Sequence, residues 1–300
     1  MKLMRNVSRS IVLCLFALSS TVVVAKEIVL DFKGRLLNAD LQFVTNKTLK
    51  DGVILITHGG LAHRDQETIA HMSSLLNERG YNTLAINLSL GICNRHGMYD
   101  CEQAHRHTND EVMDELASWF EWLSKQGATD IVVLGHSRGG AQVARFAARH
   151  LPHKAHAVVL MAPSTAMNAG KGYVTRYQKP LDPLLARAKA LQEQGKGETL
   201  IHNTNMMHCR DTTVSANSIV SNYGEDDLLD APTMLKEIKE PTLIVIAGDD
   251  EVVIDLGKEL VELQKRPNIK VEVVDGSGHF FRDLNGEDAA DMVDAFLSTL

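Results

Sequence analysis

The sequence predicts an α/β protein built on a mostly parallel, doubly wound sheet. Short, uninterrupted apolar runs recur along the chain, as is typical of parallel strands that are buried on both faces. Segments with helical periodicity lie between these runs, and this alternation implies right-handed crossovers. Apolar and polar residues alternate in 27–44, which predicts an antiparallel hairpin at one edge of the sheet.

The predicted strands follow in order along the chain. The hairpin strands are expected at 28–30 and 41–44, joined around 37–40. The six parallel strands are predicted from apolar runs at 53–56, 83–88, 131–134, 157–161, 242–247 and 271–274.

Helices are predicted between the strands. Thr108 and Glu111 form a capping-box pattern that begins a helix with one apolar face, and Gly127 ends it. Further helices are predicted from Asp65 to Gly80, over 139–150, and near the C-terminus, where four apolar residues share one face.

The interval 164–238 breaks the alternation. It contains a helical stretch, glycine breaks and polar His/Asn/Met-rich sequence without strong strand signals. We therefore predict a small helical cap inserted into a single domain of residues 26–300. His202, His208 and Met206–Met207 are expected to pack the cap, with the lining of an apolar pocket as the alternative.

The N-terminus has the pattern of a cleaved secretory signal. Lys2, Arg5 and Arg9 precede an apolar run over 11–24, and cleavage is expected after Ala25. An uncleaved membrane anchor is the alternative, but the run is short for a bilayer span. We therefore predict export across the inner membrane to the periplasm, with no stable membrane anchor after cleavage.

The charge balance argues against two partner classes. The net charge of −7 becomes −10 once Lys2, Arg5 and Arg9 are removed. An acidic chain of this kind favours neither nucleic acid nor an anionic membrane as a partner.

Three cysteines remain after cleavage: Cys93, Cys101 and Cys209. In an oxidising compartment an odd count predicts one disulfide and one leftover thiol. Cys93 and Cys101 are close in sequence and bracket a turn-like loop, so they are the preferred pair. Three unpaired thiols are the alternative.

Gly135-His136-Ser137-Arg138-Gly139 has the pattern G-x-S-x-G and lies between a predicted strand and a predicted helix. A sharp turn in this context raises the serine hydroxyl above the sheet edge, and the glycines make room for the turn. Ser137 is therefore the candidate nucleophile.

A serine nucleophile needs a base and an acid that orients the base. His279 follows the last predicted strand and is the candidate base. The acid is expected after the strand at 242–247, where three carboxylates are adjacent. Asp250 is preferred, Asp249 is the next choice, and Glu251 follows.

The oxyanion of the reaction needs two backbone N–H donors. Arg138, directly after the nucleophile, is expected to supply one. The other is expected from the turn after the strand at 53–56, where Gly60 is preferred and Leu61 is the alternative. His58 is expected to support this turn and not to act as the base.

Together these segments resemble the α/β-hydrolase fold superfamily, and the likeness covers most of the mature chain. The order of hairpin, oxyanion turn, G-x-S-x-G elbow, cap, acid and histidine is that of the superfamily. Two features depart from it. The acid loop is one residue shorter than the usual G-x-x-D spacing, and the oxyanion turn lacks the HGGG signature.

A serine at the elbow implies hydrolysis of small-molecule esters, or thioesters, through an acyl-enzyme, with no cofactor. The prediction is a serine hydrolase of carboxylesterase type. Peptidase or amidase activity on the same triad is one alternative. A non-catalytic binding protein on a hydrolase scaffold is the other.

The loop 91–107 is unusually rich in metal-binding residue types. His96, Cys101, His105 and His107 raise a zinc hypothesis, but their spacing matches no closed zinc pattern. We therefore expect a structural or substrate-contacting rim and no metal.

Overall fold

An eight-stranded sheet forms the centre of the computed structural model, which describes residues 25–224 and 226–300. A separate two-stranded sheet lies in the predicted cap region. The strands are β1 (Ala25–Phe32), β2 (Arg35–Gln42), β3 (Val53–Thr57), β4 (Thr83–Asn87), β5 (Ile131–His136), β6 (Ala157–Met161), β7 (Leu200–Met206), β8 (Cys209–Ser215), β9 (Thr242–Ala247) and β10 (Ile269–Val274).

The order of the large sheet is β1-β2-β4-β3-β5-β6-β9-β10. β1 and β2 pair antiparallel, β2 pairs antiparallel with β4, and every later pair is parallel. The six predicted parallel strands and the predicted fold class are confirmed. Because β3 and β5 are adjacent parallel strands at the centre of the sheet, the loops that follow them meet at the carboxyl ends of the strands.

The edge hairpin is present, but its predicted turn was wrong. The chain reverses at Lys33 and Gly34, which both have positive φ angles of 51° and 80°. Residues 37–40 lie inside β2, where Leu37 and Ala39 are buried in the core. β2 pairs on both sides, so its polar residues do not mark a turn.

Nine α-helices accompany the strands in the described part of the chain. They are α1 (Glu67–Glu78), α2 (Asn109–Lys125), α3 (Arg138–Arg149), α4 (Tyr173–Tyr177), α5 (Asp182–Glu193), α6 (Ala216–Tyr223), α7 (Ala231–Leu235), α8 (Leu256–Glu259) and α9 (Leu284–Leu297). The predicted capping box is confirmed at α2, where the Thr108 side chain and Glu111 cap each other's backbone.

Helices cover both faces of the sheet. On β3, Val53 and Leu55 point into a core that also contains residues of α2 and α3. Ile54 and Ile56 point into the opposite core, which contains residues of α1 and α9. Burial on both faces explains the uninterrupted apolar runs of the sequence.

The segment between β6 and β9, here called the cap segment, contains α4 to α7. Contrary to our expectation of a helical cap, it also contains the hairpin β7–β8. Ile201, Met206 and Val214 of this hairpin pack into a separate core cluster with residues of α4 and α6. Other hairpin positions are exposed and polar, so the strands carry too few apolar residues to be recognised.

The predicted disulfide between Cys93 and Cys101 was wrong. Cys101 pairs with Cys209 of β8, with a Cα–Cα distance of 5.3 Å across 108 residues of sequence, and Cys93 is free and exposed. The loop after β4 also reaches β8 through backbone bonds of His105 to Thr213 and Ser215. The disulfide therefore joins this loop to the cap segment.

The predicted signal segment lies outside the described residues apart from Ala25. Among the residues that are described, none of the helices combines the length and apolar character needed to cross a membrane.

Candidate active site

Ser137 occupies the sharp turn between β5 and α3. Its φ of 57° and ψ of −126° lie in a region that residues other than glycine rarely adopt. The Ser137 amide donates to the carbonyl oxygen of Met161 at 2.9 Å, and the Ser137 carbonyl accepts from the Ser164 amide at 3.0 Å. The end of β6 therefore holds the strained turn in place.

The glycines of the motif are required by close backbone contacts. A Cβ atom on Gly135 would lie 2.4 Å from the carbonyl oxygen of Gly139, and one on Gly139 would lie 2.3 Å from that of His58. A Cβ on Gly59 would approach the Ser137 Cβ to 2.8 Å. The elbow and the turn after β3 thus pack directly against each other.

A continuous hydrogen-bond chain connects Ser137, His279 and Asp250. The Ser137 hydroxyl lies 2.9 Å from Nε2 of His279, and Nδ1 of His279 lies 2.9 Å from Oδ2 of Asp250. Because a carboxylate only accepts, Nδ1 carries the proton and Nε2 is left to accept from the hydroxyl. Only 2% of the His279 side chain and 5% of the Asp250 side chain are exposed.

The three adjacent carboxylates occupy different positions. Asp250 contacts the His279 ring, whereas Asp249 is exposed and its backbone amide donates to the carbonyl oxygen of Ser277. Glu251 accepts from the backbone amide of His279 at 3.3 Å and does not contact the ring. Of these carboxylates, only Asp250 is placed to orient the imidazole.

Asp250 is held in its ionised form. Its Oδ1 accepts from the backbone amides of Val252 and Val253 at 2.7 and 2.8 Å. Burial by itself raises the pKa of Asp250, but the bonds from His279 and from these two amides outweigh burial and lower the pKa below its ordinary value. A negative charge therefore faces His279.

The two predicted oxyanion residues lie at the same cavity as Ser137. Gly60, with a φ of 47°, and Arg138, the first residue of α3, both line it. The positive end of the α3 dipole points toward the turn that carries Ser137. Leu61, the alternative donor, has a buried side chain.

The turn after β3 is supported from beneath by a buried network. His58 accepts at Nε2 from the Leu88 amide at 3.1 Å, and its Nδ1 lies 3.2 Å from the Gly59 carbonyl oxygen. Arg95, only 4% exposed, donates to the Ala62 carbonyl oxygen at 2.8 Å and also contacts Nε2 of His58. Burial, reinforced by the Arg95 charge, lowers the pKa of His58 to about 3. His58 is thus a neutral support of the turn, as expected.

The role of Arg95 could not be predicted from the sequence, because Arg95 lies in the loop 91–107, 37 residues from His58, and no motif marks it. The role of His136, the residue before Ser137, was also not predicted. Nε2 of His136 donates to the carbonyl oxygen of His279 at 2.9 Å, and burial together with the His279 charge lowers the pKa of His136 to about 3. A histidine in the first variable position of the motif is the only sequence signal for this role.

A cavity of about 520 Å³ opens beside Ser137 and extends beneath the cap segment. Tyr177, Met207 and His208 contribute to its lining, which is the alternative that the sequence left open for Met207 and His208. The expected packing is also present, because Met206 lies in the cap core and Met207 packs against it. The volume is in the range of small-molecule sites.

The residues of the zinc hypothesis do not converge on one point in the described part of the chain. His96 is exposed and contacts Glu27, whereas His105 and His107 are buried, with ring centroids 5.6 Å apart. Cys101 has its sulfur in the disulfide. The loop 91–107 instead packs against the cap segment.

Residues 49–282 match the family described as serine aminopeptidase, S33. The chain belongs to this family. The match begins just before β3 and ends after His279. In this S33 family member the matched region therefore includes Ser137, Asp250 and His279.

Solved structures share the fold of this S33 family member. Est1E from Butyrivibrio proteoclasticus is 21% identical, with a TM-score of 0.64 over 91% of this chain and 99% of that one. A monoacylglycerol lipase from Paleococcus ferrophilus is 21% identical, with a TM-score of 0.60 over 88% and 98%. The Pyrococcus furiosus esterase Pf2001 is 18% identical, with a TM-score of 0.60 over 93% and 92%.

The predicted α/β-hydrolase fold is confirmed by these similarities, which at such identities concern the fold alone. No curated protein sequence matches the chain at a significant level.

Proposed function

We propose that the chain is a serine hydrolase of carboxylesterase type that cleaves small-molecule esters. The observation that carries this proposal is the hydrogen-bond chain from the Ser137 hydroxyl through the His279 ring to Asp250. A serine hydroxyl, an imidazole and a carboxylate connected in this order form the arrangement that activates a hydroxyl for acyl transfer. The S33 family match and the esterase and lipase names of the structural neighbours support the same class.

The reaction follows from the direction of these hydrogen bonds. Ser137 Oγ attacks the ester carbonyl carbon while Nε2 of His279 takes the hydroxyl proton. The resulting imidazolium donates this proton to the leaving alcohol, and an acyl-serine remains. Water, deprotonated by the same nitrogen, then attacks the acyl-serine. As the bond between the acyl carbon and Ser137 Oγ breaks, the imidazolium returns the proton to Oγ and the acid is released. Asp250 keeps the proton on Nδ1 and stabilises the imidazolium in both steps.

The oxyanion of both tetrahedral intermediates forms next to the α3 N-terminus. In this proposal the backbone N–H groups of Gly60 and Arg138 donate to it. The support of the Gly60 turn by His58 and Arg95 keeps one donor in place before substrate arrives. A preorganised turn of this kind does not have to rearrange during the reaction.

Labelling with a serine-directed fluorophosphonate, combined with hydrolysis of p-nitrophenyl esters, tests the proposal. We expect one label per chain, located on Ser137 by peptide mapping, and no labelling or hydrolysis by Ser137→Ala. A folded wild-type protein that neither reacts with the probe nor cleaves esters would instead be a binding protein on a hydrolase scaffold. The kcat/KM for p-nitrophenyl esters of different acyl chain lengths measures which chain lengths the enzyme prefers.

Amide hydrolysis is a second candidate, and the specific observation in its favour is the description of the matching family as a serine aminopeptidase. The same three residues serve amides, which differ in needing proton transfer to a poorer leaving group. Matched ester and p-nitroanilide pairs separate the two activities. A higher kcat/KM on the anilides would assign the chain to the peptidases.

We also propose that the chain acts in the periplasm after removal of residues 1–25. The basic and apolar N-terminal sequence supports export, and the disulfide between Cys101 and Cys209 is of a kind that persists in oxidising compartments. The mass of the protein purified from a periplasmic extract tests this proposal. We expect a chain that begins at Lys26, and a full-length chain in the cytoplasmic fraction would contradict export.

A further inference from the structure

Three arginines line the cavity that contains Ser137. Arg138 follows the nucleophile, Arg176 belongs to α4, and Arg210 belongs to β8. Among the residues whose side chains are described, 25–224 and 228–300, none of the three has a carboxylate within ion-pair distance. The carboxylate in the cavity lining is that of Glu251, which contacts the backbone of His279.

Neutral groups hold the three guanidinium groups in place. Arg138 donates to the side-chain oxygen of Asn222, and its buried Nε has no hydrogen-bond partner among the described residues. Arg176 donates to the carbonyl oxygens of Asn168 and Met167, at 3.0 and 3.2 Å. The described residues therefore fix the positions of these positive charges without neutralising them.

Two of these arginines, Arg176 and Arg210, belong to the cap segment and lie close to the same side chain, that of Tyr177. The guanidinium carbons of Arg176 and Arg210 each lie 5.7 Å from the ring centroid of Tyr177. Arg210 also donates to the carbonyl oxygen of Arg176 at 3.0 Å. Tyr177 itself is fixed, because its hydroxyl donates to the Met207 carbonyl oxygen at 2.6 Å.

This accumulation of positive charge is costly without an anion. Arg138 is only 6% exposed, and burial lowers its pKa to about 10, with the nearby charge of Arg176 adding to the decrease. The chain as a whole carries a net charge of −7, so the cluster is not part of a generally basic surface. A buried charge such as that of Arg138 is normally paired, and none of the described side chains supplies a carboxylate for it.

We propose that this cavity binds an ester that carries a carboxylate, with the carboxylate held by Arg138, Arg176 and Arg210 while its ester carbonyl lies at Ser137. The proposal rests on the ester hydrolysis proposed above and adds the substrate class. Arginine suits this role because its planar donor groups match a carboxylate in a bidentate manner. Hydrolysis of a dicarboxylate half-ester by the steps above yields the dicarboxylate, the alcohol and one proton.

Two pairs of matched esters test the proposal and identify the side of the ester that carries the anion. Monomethyl glutarate and methyl pentanoate differ by a carboxylate on the acyl side. Acetoxyacetate and ethyl acetate differ by a carboxylate on the alcohol side. We expect a kcat/KM about tenfold or more higher for the charged member of one pair, because hydrogen bonds to charged groups exceed neutral ones in strength.

Variants connect this preference to the arginines. Arg176→Gln and Arg210→Gln should each lower the ratio of kcat/KM between the charged and the neutral ester. Arg187→Gln, which removes an exposed cap arginine outside the cavity lining, is the matched control and should leave the ratio as in the wild type. A preference for the neutral ester in both pairs, or a ratio that Arg176→Gln and Arg210→Gln do not change, would overturn the proposal.

Binding measured without turnover separates this proposal from the proposed hydrolysis. Glutarate is titrated calorimetrically into Ser137→Ala, and we expect binding that weakens with added salt and with Arg176→Gln. Binding of this kind in a chain that cleaves no ester would keep the anion site and reject the hydrolase. Ser137-dependent hydrolysis of neutral esters with no glutarate binding would keep the hydrolase and reject the anion site.

Discussion

His136 donates a hydrogen bond from Nε2 to the backbone carbonyl oxygen of His279, across 143 residues of sequence and a distance of 2.9 Å. The two rings also contact each other, with centroids 4.9 Å apart. Through this bond the residue that precedes the nucleophile holds the loop that carries its base. The turn that carries Ser137 and the loop that carries His279 are therefore held directly against each other.

His136 is expected to act as a positioning residue. His136→Leu removes the donor and should lower kcat for ester hydrolysis by about 10- to 100-fold with little change in KM, because small misplacements of a base are costly. His136→Gln keeps an amide N–H near the same place and should recover most of the loss. Steady-state kinetics of both variants measures the effect, and equal losses in the two would argue against a positioning role.

Asp250 and Asp249 are expected to differ sharply despite being adjacent. Asp250→Asn should lower kcat by about 10⁴-fold, because the amide no longer holds the proton on Nδ1 of His279. Asp249→Asn, at an exposed position without ring contact, should leave kcat close to the wild-type value. The two variants are compared in one kinetic assay with circular dichroism as the control for folding. The reverse order of effects would assign the acid to Asp249.

The disulfide between Cys101 and Cys209 should stabilise the chain substantially. Loss of this bond in Cys101→Ser/Cys209→Ser is expected to reduce the free energy of unfolding by about 2–5 kcal/mol, since it closes a long loop of the unfolded chain. Urea unfolding measures the change.

Cys93→Ser is the control for the disulfide and should have little effect, because the Cys93 thiol is free and exposed. Maleimide should label Cys93 alone in the native protein. A peptide linked through Cys93 and Cys101 would contradict the pairing.

Buried neutral histidines predict a loss of stability in acid. Burial is the main cause that lowers the pKa of His107 from its ordinary value of 6.5 to about 3, and the charge of His105 is the second cause. Between pH 6.5 and about pH 3, His107 binds a proton in the unfolded chain but not in the folded chain. The free energy of unfolding therefore falls as the pH drops from about 6.5 toward about 3.

His107→Phe tests this dependence. Both ring nitrogens of His107 lack a hydrogen-bond partner among the described residues, so the substitution breaks no such bond. The slope of unfolding free energy against pH, measured by urea unfolding between pH 6 and pH 4, should decrease by up to about 1.4 kcal/mol per pH unit. An unchanged slope would show that His107 is protonated in the folded chain.

The sequence by itself determined the fold class and the two most recognisable positions of the candidate site. Buried parallel strands require uninterrupted apolar runs, and the elbow at Ser137 requires its flanking glycines, so both leave local patterns. His279 could be predicted because it follows the last strand in a fixed chain order. The apolar runs and the turn at Ser137 depend on neighbours within a few residues, whereas His279 depends on the order of segments along the chain.

Only the tertiary structure decided which distant groups meet. Asp250 is distinguished from Asp249 by the direction of its side chain in a turn, and Cys101 finds Cys209 only after the cap segment has folded. Arg138, Arg176 and Arg210 are spread over 73 positions and share no motif. Their convergence depends on three-dimensional packing, which short-range sequence patterns do not encode.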